Sequence, residues 1–162
     1  IKDLGAKVSS RRLINQGALA RQPGLGNLNF FFYDPKPKAK LPYYDSFPLV
    51  IVIDKAEGGF LGLNLHYLPP TLRAKLLDGL LDTANNKLYT DDTRFQISYS
   101  MLKRAARLKY FKPCIKHYLT DHVRSRFARV PAPEWEIATF LPTADWQKTS
   151  ASQVYKFSRR MI

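Results

Sequence analysis

Few residues in this sequence combine the types and the spacing that catalysis or metal binding requires. Cys114, His117 and His122 form a C-x2-H-x4-H pattern, which could contribute to a zinc site. On the helix that this segment predicts, however, the step between the two histidines turns one imidazole away from the other. The chain also has no second cysteine to complete a tetrahedral set. Ordinary packing is therefore the preferred interpretation, and we expect no metal ion.

Paired carboxylates are the second candidate for chemistry. Glu134 and Glu136 flank Trp135 on a candidate strand, where the two carboxylates would share a face and could bind magnesium as in nucleases. No aspartate at suitable spacing precedes them, so solvated or salt-bridged glutamates are the simpler interpretation. His117 and Asp121 form a commonplace i, i+4 pair, and EGGFLG lacks the Gly-Lys-Ser/Thr ending of a phosphate loop. We therefore expect neither enzyme activity nor a cofactor.

Positive charge is the stronger feature of the sequence. The chain carries a formal net charge of +13, and residues 94–131 hold ten lysines and arginines against one aspartate. Such a segment favours an anionic partner, either nucleic acid or an acidic protein surface. Tyr118 belongs to an apolar stripe and is not expected to stack on bases, so the protein surface is slightly preferred. The residues predicted to make this contact, here called the basic patch, are Lys103, Arg104, Arg107, Lys109, Lys112, Lys116, Arg124, Arg126 and Arg129.

The elements that must position these residues begin with strands. The aromatic run LNFFFYDPK predicts a strand that ends at Asp34 and Pro35, and residues 49–53 form an apolar run typical of a strand covered on both faces. DKAEGG predicts the turn of a hairpin, and FLGLNLHYL alternates as its second strand. The second face of 49–53 would be covered either by inserted helices or by an adjacent subunit.

Helices and one late strand are predicted after this hairpin. Residues 71–81 place leucines at helical spacing directly after two prolines. SYSMLKRAARLKYFK predicts a second helix, which Pro113 ends. Apolar residues within 115–123 recur at i, i+3, i+4, i+7 and i+8 and predict a third helix. Residues 135–141 predict a late strand.

Together these elements predict an α+β fold with two to three inserted helices. Its sheet would be either a small antiparallel SH3-like β-barrel or a bent sheet with helices on one face. We expect an N-terminal extended arm (1–27) with contacts from Arg11, Arg12 and Arg21, a globular α+β domain (28–145) and a C-terminal tail (146–162). No run approaches the ~20 apolar residues that span a bilayer, so no membrane partner is expected. The single cysteine fits a reducing compartment, or a particle assembled inside one.

Three longer strings carry a resemblance to a known family. They are FFFYDPKPKAKLPYYDSFPLVIVID, GGFLGLNLHYLPPTLRAKLL and KPCIKHYLTDHVRSRFARVPAPEWEIATFLP, within about residues 28–145. They resemble small virion proteins of contractile-tailed bacteriophages, relatives of the T-even phages. The resemblance implies a structural component of the particle, in the tail and baseplate or at the head–tail junction. Some relatives are labelled as protecting the ends of packaged DNA.

Two functional hypotheses follow from the charge and the resemblance. The preferred one is a non-catalytic adaptor between subunits of the tail or baseplate, with other virion proteins as partners in a multi-subunit assembly. The alternative is a DNA-binding head or neck protein that protects or positions the packaged DNA end. In both, the protein would be assembled in the host cytoplasm and reside in the virion.

Overall fold

The computed structural model describes residues 18–84, 112–131 and 134–160. Within these ranges the strands are β1 (Ala18–Ala20), β2 (Leu28–Phe30), β3 (Tyr44–Asp45), β4 (Leu49–Ala56), β5 (Gly59–Asn64), β6 (Ile115–Leu119), β7 (Phe127–Val130) and β8 (Trp146–Gln147). The α-helices are α1 (Pro70–Ala84), α2 (Trp135–Phe140) and α3 (Ala151–Arg160). Short 3-10 turns cover Leu65–Tyr67, Lys112–Cys114 and Thr120–His122.

Six of these strands form one antiparallel sheet in the order β1-β7-β2-β4-β5-β6, and β3 pairs separately with β8. β1 and β6 are the two ends of the order, so the described strands form an open sheet and not a closed barrel. The α+β class and the antiparallel pairing are thereby confirmed. The SH3-like barrel is not confirmed.

The sequence predicts a strand that is buried on both faces, and this strand is β4. Other parts of the chain cover both of its faces. Leu49, Ile51 and Ile53 face a helix-side cluster that includes Leu76 of α1 and Val154 of α3. Val50 and Val52 face the opposite way, into an aromatic cluster; its buried members are Phe31, Tyr33, Val50, Val52, Phe60, Tyr118 and Phe127. Helices thus cover one side of β4, and aromatic side chains from neighbouring strands and the 31–33 segment cover the other.

The predicted hairpin is present, and its glycines have separate tasks. Gly58 has φ +74° in the turn, a conformation that L side chains rarely adopt. Gly62 lies on β5, where an added Cβ would collide with Cγ1 of Val50 and lie 3.4 Å from the Tyr118 ring. The absence of a side chain at Gly62 therefore lets Val50 and Tyr118 pack closely across β5.

The prediction of a helix over 115–123 was wrong, because residues Ile115–Leu119 form β6 and pair with β5. Helical spacing of apolar residues over so short a segment does not exclude a strand. Here pairing with the outer edge of β5 places Tyr118 in the aromatic cluster. A residue with β propensity at that point gains more from the sheet than from an isolated helical turn.

The prediction of a strand over 135–141 was also wrong, because Trp135–Phe140 form α2. Trp135 donates a hydrogen bond from Nε1 to the carbonyl oxygen of Val130 at 2.7 Å, and Ala138 and Thr139 are buried. Glu134 precedes the helix and Glu136 lies in its first turn, so on a helix the two carboxylates point in different directions. They do not share a face as a strand would require.

The other predicted elements are partly confirmed. The helix over 71–81 is present as α1, whereas most of the helix predicted from SYSMLKRAARLKYFK lies outside the described residues. β1 lies within the predicted arm and α3 within the predicted tail, and both contact the rest of the domain. The division into arm, domain and tail stays a prediction. In the described ranges, no helix has the length and apolar character needed to cross a membrane.

Candidate nucleic-acid interface

The structure divides the basic patch between described and undescribed parts of the chain. Lys103, Arg104, Arg107 and Lys109 lie outside the described residues, as do Arg11 and Arg12 of the predicted arm. Arg21 of the arm is exposed just after β1. The described members of the basic patch are Lys112, Lys116, Arg124, Arg126 and Arg129.

The described members of the patch do not lie on adjoining helices as predicted. Lys116 lies on β6 and Arg129 on β7, and β2, β4 and β5 lie between these strands in the sheet order. Arg124 and Arg126 are exposed in the segment between β6 and β7. Arg124 donates a hydrogen bond to the carbonyl oxygen of Asp121 at 2.6 Å and lies 3.7 Å from a carboxylate oxygen of Asp34.

A groove runs between β6 and the Pro/Lys loop, defined here as residues 35–41, and we call it the lysine–tyrosine groove. Its volume is about 810 Å³, within the range of ~300–1,000 Å³ that is common for ligand pockets. Lysines and tyrosines dominate its lining. These are Lys36, Lys38, Lys40, Lys116, Tyr33, Tyr43, Tyr44, Tyr67 and Tyr118, together with His117 and the buried Asp45.

The Pro/Lys loop is folded into a turn and not extended. The amides of Lys40 and Leu41 donate to the carbonyl oxygen of Pro37 at 2.9 and 3.1 Å. From the other side, Nζ of Lys148 donates to the carbonyl oxygens of Lys38 and Leu41 at 2.7 and 2.9 Å. These bonds hold the loop in one shape while its lysines stay exposed at the rim of the groove.

Lys116 is the cation at the inner wall of the groove. Its partner across the β5–β6 ladder is Gly62, which has no side chain to obstruct it. The half-buried side chain places Nζ 4.2 Å from the centroid of the Tyr67 ring, a cation–π contact. Burial lowers the pKa of Lys116, although the nearby Cys114 acts in the opposite direction. Among the described residues, no carboxylate forms an ion pair with Lys116.

Tyrosine rings form the apolar surface of the groove. Tyr43 and Tyr44 are half-buried, and Tyr43 packs against Tyr67 at a ring distance of 6.1 Å and against Phe157 at 5.7 Å. Burial raises the pKa of Tyr43, so its phenol is neutral at physiological pH. Tyr33 supports the edge strand, because its hydroxyl accepts a hydrogen bond from the amide of Leu119 at 2.9 Å.

This arrangement can bind phosphates with its lysines and stack bases on its half-buried tyrosines. At the rim, Lys38 also pairs with Asp34 at 2.9 Å in an exposed contact, which leaves that lysine available to a stronger anionic partner. Lys116 was predicted as a member of the basic patch, but the three lysines of the Pro/Lys loop were not. Their alternation with proline and alanine beside two adjacent tyrosines is the pattern that could have found the groove.

A buried carboxylate–imidazole–hydroxyl arrangement lies below the groove. Nδ1 of His66 is 2.5 Å from Oδ2 of Asp45, and Nε2 is 3.2 Å from Oγ1 of Thr143. The order of groups is that of a catalytic triad. However, the three residues are only 4%, 1% and 6% exposed, so a substrate cannot reach the hydroxyl in this conformation. In this conformation the cluster connects β3, the end of β5 and the segment before β8.

Cys114, His117 and His122, which were considered for metal binding, each have separate structural surroundings. Cys114 is buried, and burial raises the pKa of its thiol to about 12. His117 donates to the carbonyl oxygen of Glu57 at 2.8 Å, and His122 donates to that of Asp34 at 2.9 Å. Over the ranges 18–84, 112–131 and 134–160, no group of three or more His, Cys, Asp or Glu residues could hold a metal ion.

Comparison with known proteins identifies the family to which the chain belongs. Residues 11–161 match the family model described as phage T4 terminal DNA protecting protein. Neither the curated proteins nor the solved structures gave a match. Because the family match spans nearly the whole chain, this protein belongs to the family of the phage T4 terminal DNA protecting protein, which confirms the resemblance to proteins of T4-like phages.

Proposed function

We propose that this protein binds the ends of linear phage DNA and shields them from attack, with the lysine–tyrosine groove as part of the contact surface. Family membership is the observation that carries the proposal. It favours the alternative hypothesis, a protein of the packaged DNA end, over the tail or baseplate adaptor that the sequence analysis preferred.

Two physical features support DNA as the partner. The net charge of +13 gives a long-range attraction to polyphosphate. The groove then supplies lysines on a constrained loop, so that phosphate contacts form with little further ordering of the backbone. Contacts to phosphates carry no base sequence information, which suits a protein that must bind an end regardless of its sequence.

Protection by binding needs no reaction centre in the protein. A protein bound over a terminus excludes exonucleases from it sterically, which agrees with the expected lack of catalysis. In this proposal the protein resides in the virion at the packaged DNA end, is assembled in the host cytoplasm and has other virion proteins as neighbours.

A binding titration tests the proposal by comparing an open linear duplex with a covalently closed dumbbell of the same sequence. We expect the open duplex to bind more tightly and to resist exonuclease digestion when the protein is bound. Equal affinity for the two DNAs, or no measurable affinity for either at about 0.15 M salt, would contradict end binding and return the adaptor hypothesis to first place.

A matched pair of triple variants locates the contact. Lys36→Gln/Lys38→Gln/Lys40→Gln removes three charges at the groove, and Lys55→Gln/Lys75→Gln/Lys156→Gln removes three exposed charges elsewhere. The logarithm of the binding constant falls as the logarithm of the salt concentration rises. If the loop lysines contact phosphates, the first variant makes this slope shallower by up to about 2.7, at ~0.9 per contact. The second variant should lower it much less. Equal effects would show that only total charge matters.

A further inference from the structure

A DNA end differs chemically from the interior of a duplex in two ways. It can carry a terminal phosphomonoester, and its last bases can leave the stack. We propose that the lysine–tyrosine groove binds the phosphorylated terminus of one DNA strand, with Nζ of Lys116 as the ligand of the terminal phosphate. This inference rests on the proposed function and specifies how the protein distinguishes an end.

The position of Lys116 is the first observation that supports a bound terminal phosphate. Its ammonium group lies in the wall of the groove, against the Tyr67 ring at 4.2 Å and, within the described residues, without a carboxylate in an ion pair. A partly desolvated cation without an anionic partner is costly, and an anion from outside would offset that cost. A phosphomonoester carries about −1.5 to −2 charges at neutral pH, more than the single charge of an internal phosphodiester.

The dimensions of the groove support a single strand and not a duplex. Its volume of about 810 Å³ is that of a pocket for a small ligand. A B-DNA duplex, whose major groove alone is ~12 Å wide, does not enter such a space. A strand terminus of one or a few nucleotides is the nucleic-acid element that does.

The remaining lining fits the nucleotides that follow the terminal phosphate. Tyr43 and Tyr44 are half-buried rings on which an unpaired base can stack, with ~1–3 kcal/mol per base typical of such contacts. Lys36, Lys38 and Lys40 stand exposed along the rim, where the next phosphates of the strand would leave the groove. The charge thus lies at the inner wall and along the exit, with aromatic rings between them.

The experiment uses hairpin DNAs with one open end, which carry a 5′-phosphate, a 3′-phosphate or neither, each with a blunt end or a short overhang. Fluorescence anisotropy measures the affinity of the full chain for each probe. We expect one phosphorylated overhang to bind about tenfold more tightly than its hydroxyl counterpart, in line with a charge-assisted contact. Preference for either the 5′ or the 3′ phosphate supports the proposal.

Variants at Lys116 identify the ligand. Lys116→Met keeps the apolar stem against Tyr67 and removes the charge, so the phosphate preference should disappear. Lys116→Arg keeps the charge and should retain part of the preference. The methionine variant should still bind the probes that end in a hydroxyl group, which shows that its loss of phosphate preference is not a loss of folding. Lys55→Met, at an exposed site outside the groove, should leave the preference unchanged.

The outcomes separate this inference from the proposed function. If open ends still bind better than a closed dumbbell but the phosphate has no effect, end binding holds and the phosphate inference is wrong. It is equally wrong if Lys116→Met retains the wild-type phosphate preference. If the dumbbell binds as well as the open end, the proposed function itself fails.

Discussion

At the residue scale, Asp45 shows how a buried charge is kept ionised. Burial by itself raises the pKa of this carboxyl, but the His66 charge and the donors around it act more strongly together, and the pKa is lowered. The backbone amides of Phe47 and Asp145 each donate to Oδ1 at 3.0 Å, and Asn64 donates to Oδ2 at 3.2 Å. The carboxylate therefore connects β3, the end of β5 and the segment before β8.

Replacing Asp45 by asparagine tests that connection. Asp45→Asn keeps the shape but removes the charge and one acceptor, which leaves His66 and the backbone donors poorly matched. We expect a loss of about 3 kcal/mol in the free energy of unfolding, within the range for breaking a buried pair. Urea denaturation measures it, with the exposed Asp121→Asn as the control, which should change little. A loss below about 1 kcal/mol would show that the cluster is not a structural connection.

The same residue predicts a pH dependence. Because its pKa is lower in the folded state, Asp45 contributes stability that is fully present above the unfolded value of about 3.9. That contribution is lost as pH falls through the lower folded value. The difference in unfolding free energy between wild type and Asp45→Asn should therefore shrink as the pH falls through that lower value. A difference that grows as the pH falls would contradict the sign.

The sequence could not predict this cluster, because its members come from distant segments. Asp45 and Asp145 are separated by 100 residues, and His66 and Thr143 by 77. The alternation of FLGLNLHYL predicts a strand through His66, whereas the strand ends at Asn64 and the following 3-10 turn buries the imidazole. Lys116 was found as a charge, but its place in a groove depends on the Pro/Lys loop folding beside β6.

At the element scale, the hairpin β4–β5 depends on a missing side chain. β4 buries five consecutive residues because both of its faces are occupied. On the aromatic side this requires Val50 and Tyr118, from strands on either side of β5, to approach each other over Gly62. β5, which lies between them, must therefore have no side chain at that position.

Gly62→Ala should be destabilising by about 1–3 kcal/mol, the usual range for overpacking a core. The new methyl group collides with Cγ1 of Val50, so Val50→Ala should relieve part of the strain. We expect the double variant to lose less stability than the sum of the two single variants, by at least about 0.5 kcal/mol. Chemical denaturation of the four proteins measures this coupling. Strict additivity would show that Val50 is not the obstacle.

Elements with strong local patterns were predictable, and short ones were not. The apolar run of β4, the glycine-containing turn and the leucine spacing of α1 each specify one structure locally. By contrast, 115–119 and 135–140 are five and six residues long, too short for the spacing of apolar residues to distinguish a helix from a strand. Their structure is decided by what they contact, the edge of β5 for β6 and the surface beside α1 for α2.

At the scale of the whole molecule, charge and resemblance were the most informative features of the sequence. The excess of lysine and arginine indicated an anionic partner before any fold was known. The resemblance gave the phage context, which the family match confirms. The slight preference for a protein partner over DNA came from placing Tyr118 in the apolar stripe of a helix, whereas Tyr118 lies on β6 and is buried in the aromatic cluster.

Arg73 of α1 joins the three helices, here called the helical layer, to one another and to the 3-10 turn after β5. Arg73 is 6% exposed, and its guanidinium donates to the carbonyl oxygens of Leu68, Thr139 and His66 at 2.7, 2.9 and 3.2 Å. It also donates to the hydroxyl of Tyr155 on α3 at 2.8 Å. One side chain thus connects α1, α2, α3 and the 3-10 turn after β5. Burial lowers the pKa of Arg73, but arginine remains charged because its reference value is so high.

Arg73→Lys should therefore loosen the whole helical layer and not one contact. An ammonium group cannot reach four acceptors arranged around a planar guanidinium, so buried acceptors lose their partners. We expect a loss of about 2–4 kcal/mol in the free energy of unfolding. Hydrogen exchange should show α3 losing protection first, because Tyr155 ties it to α1. The exposed Arg126→Lys is the control, and unchanged protection of α3 in Arg73→Lys would show that this helix is held by its apolar contacts alone.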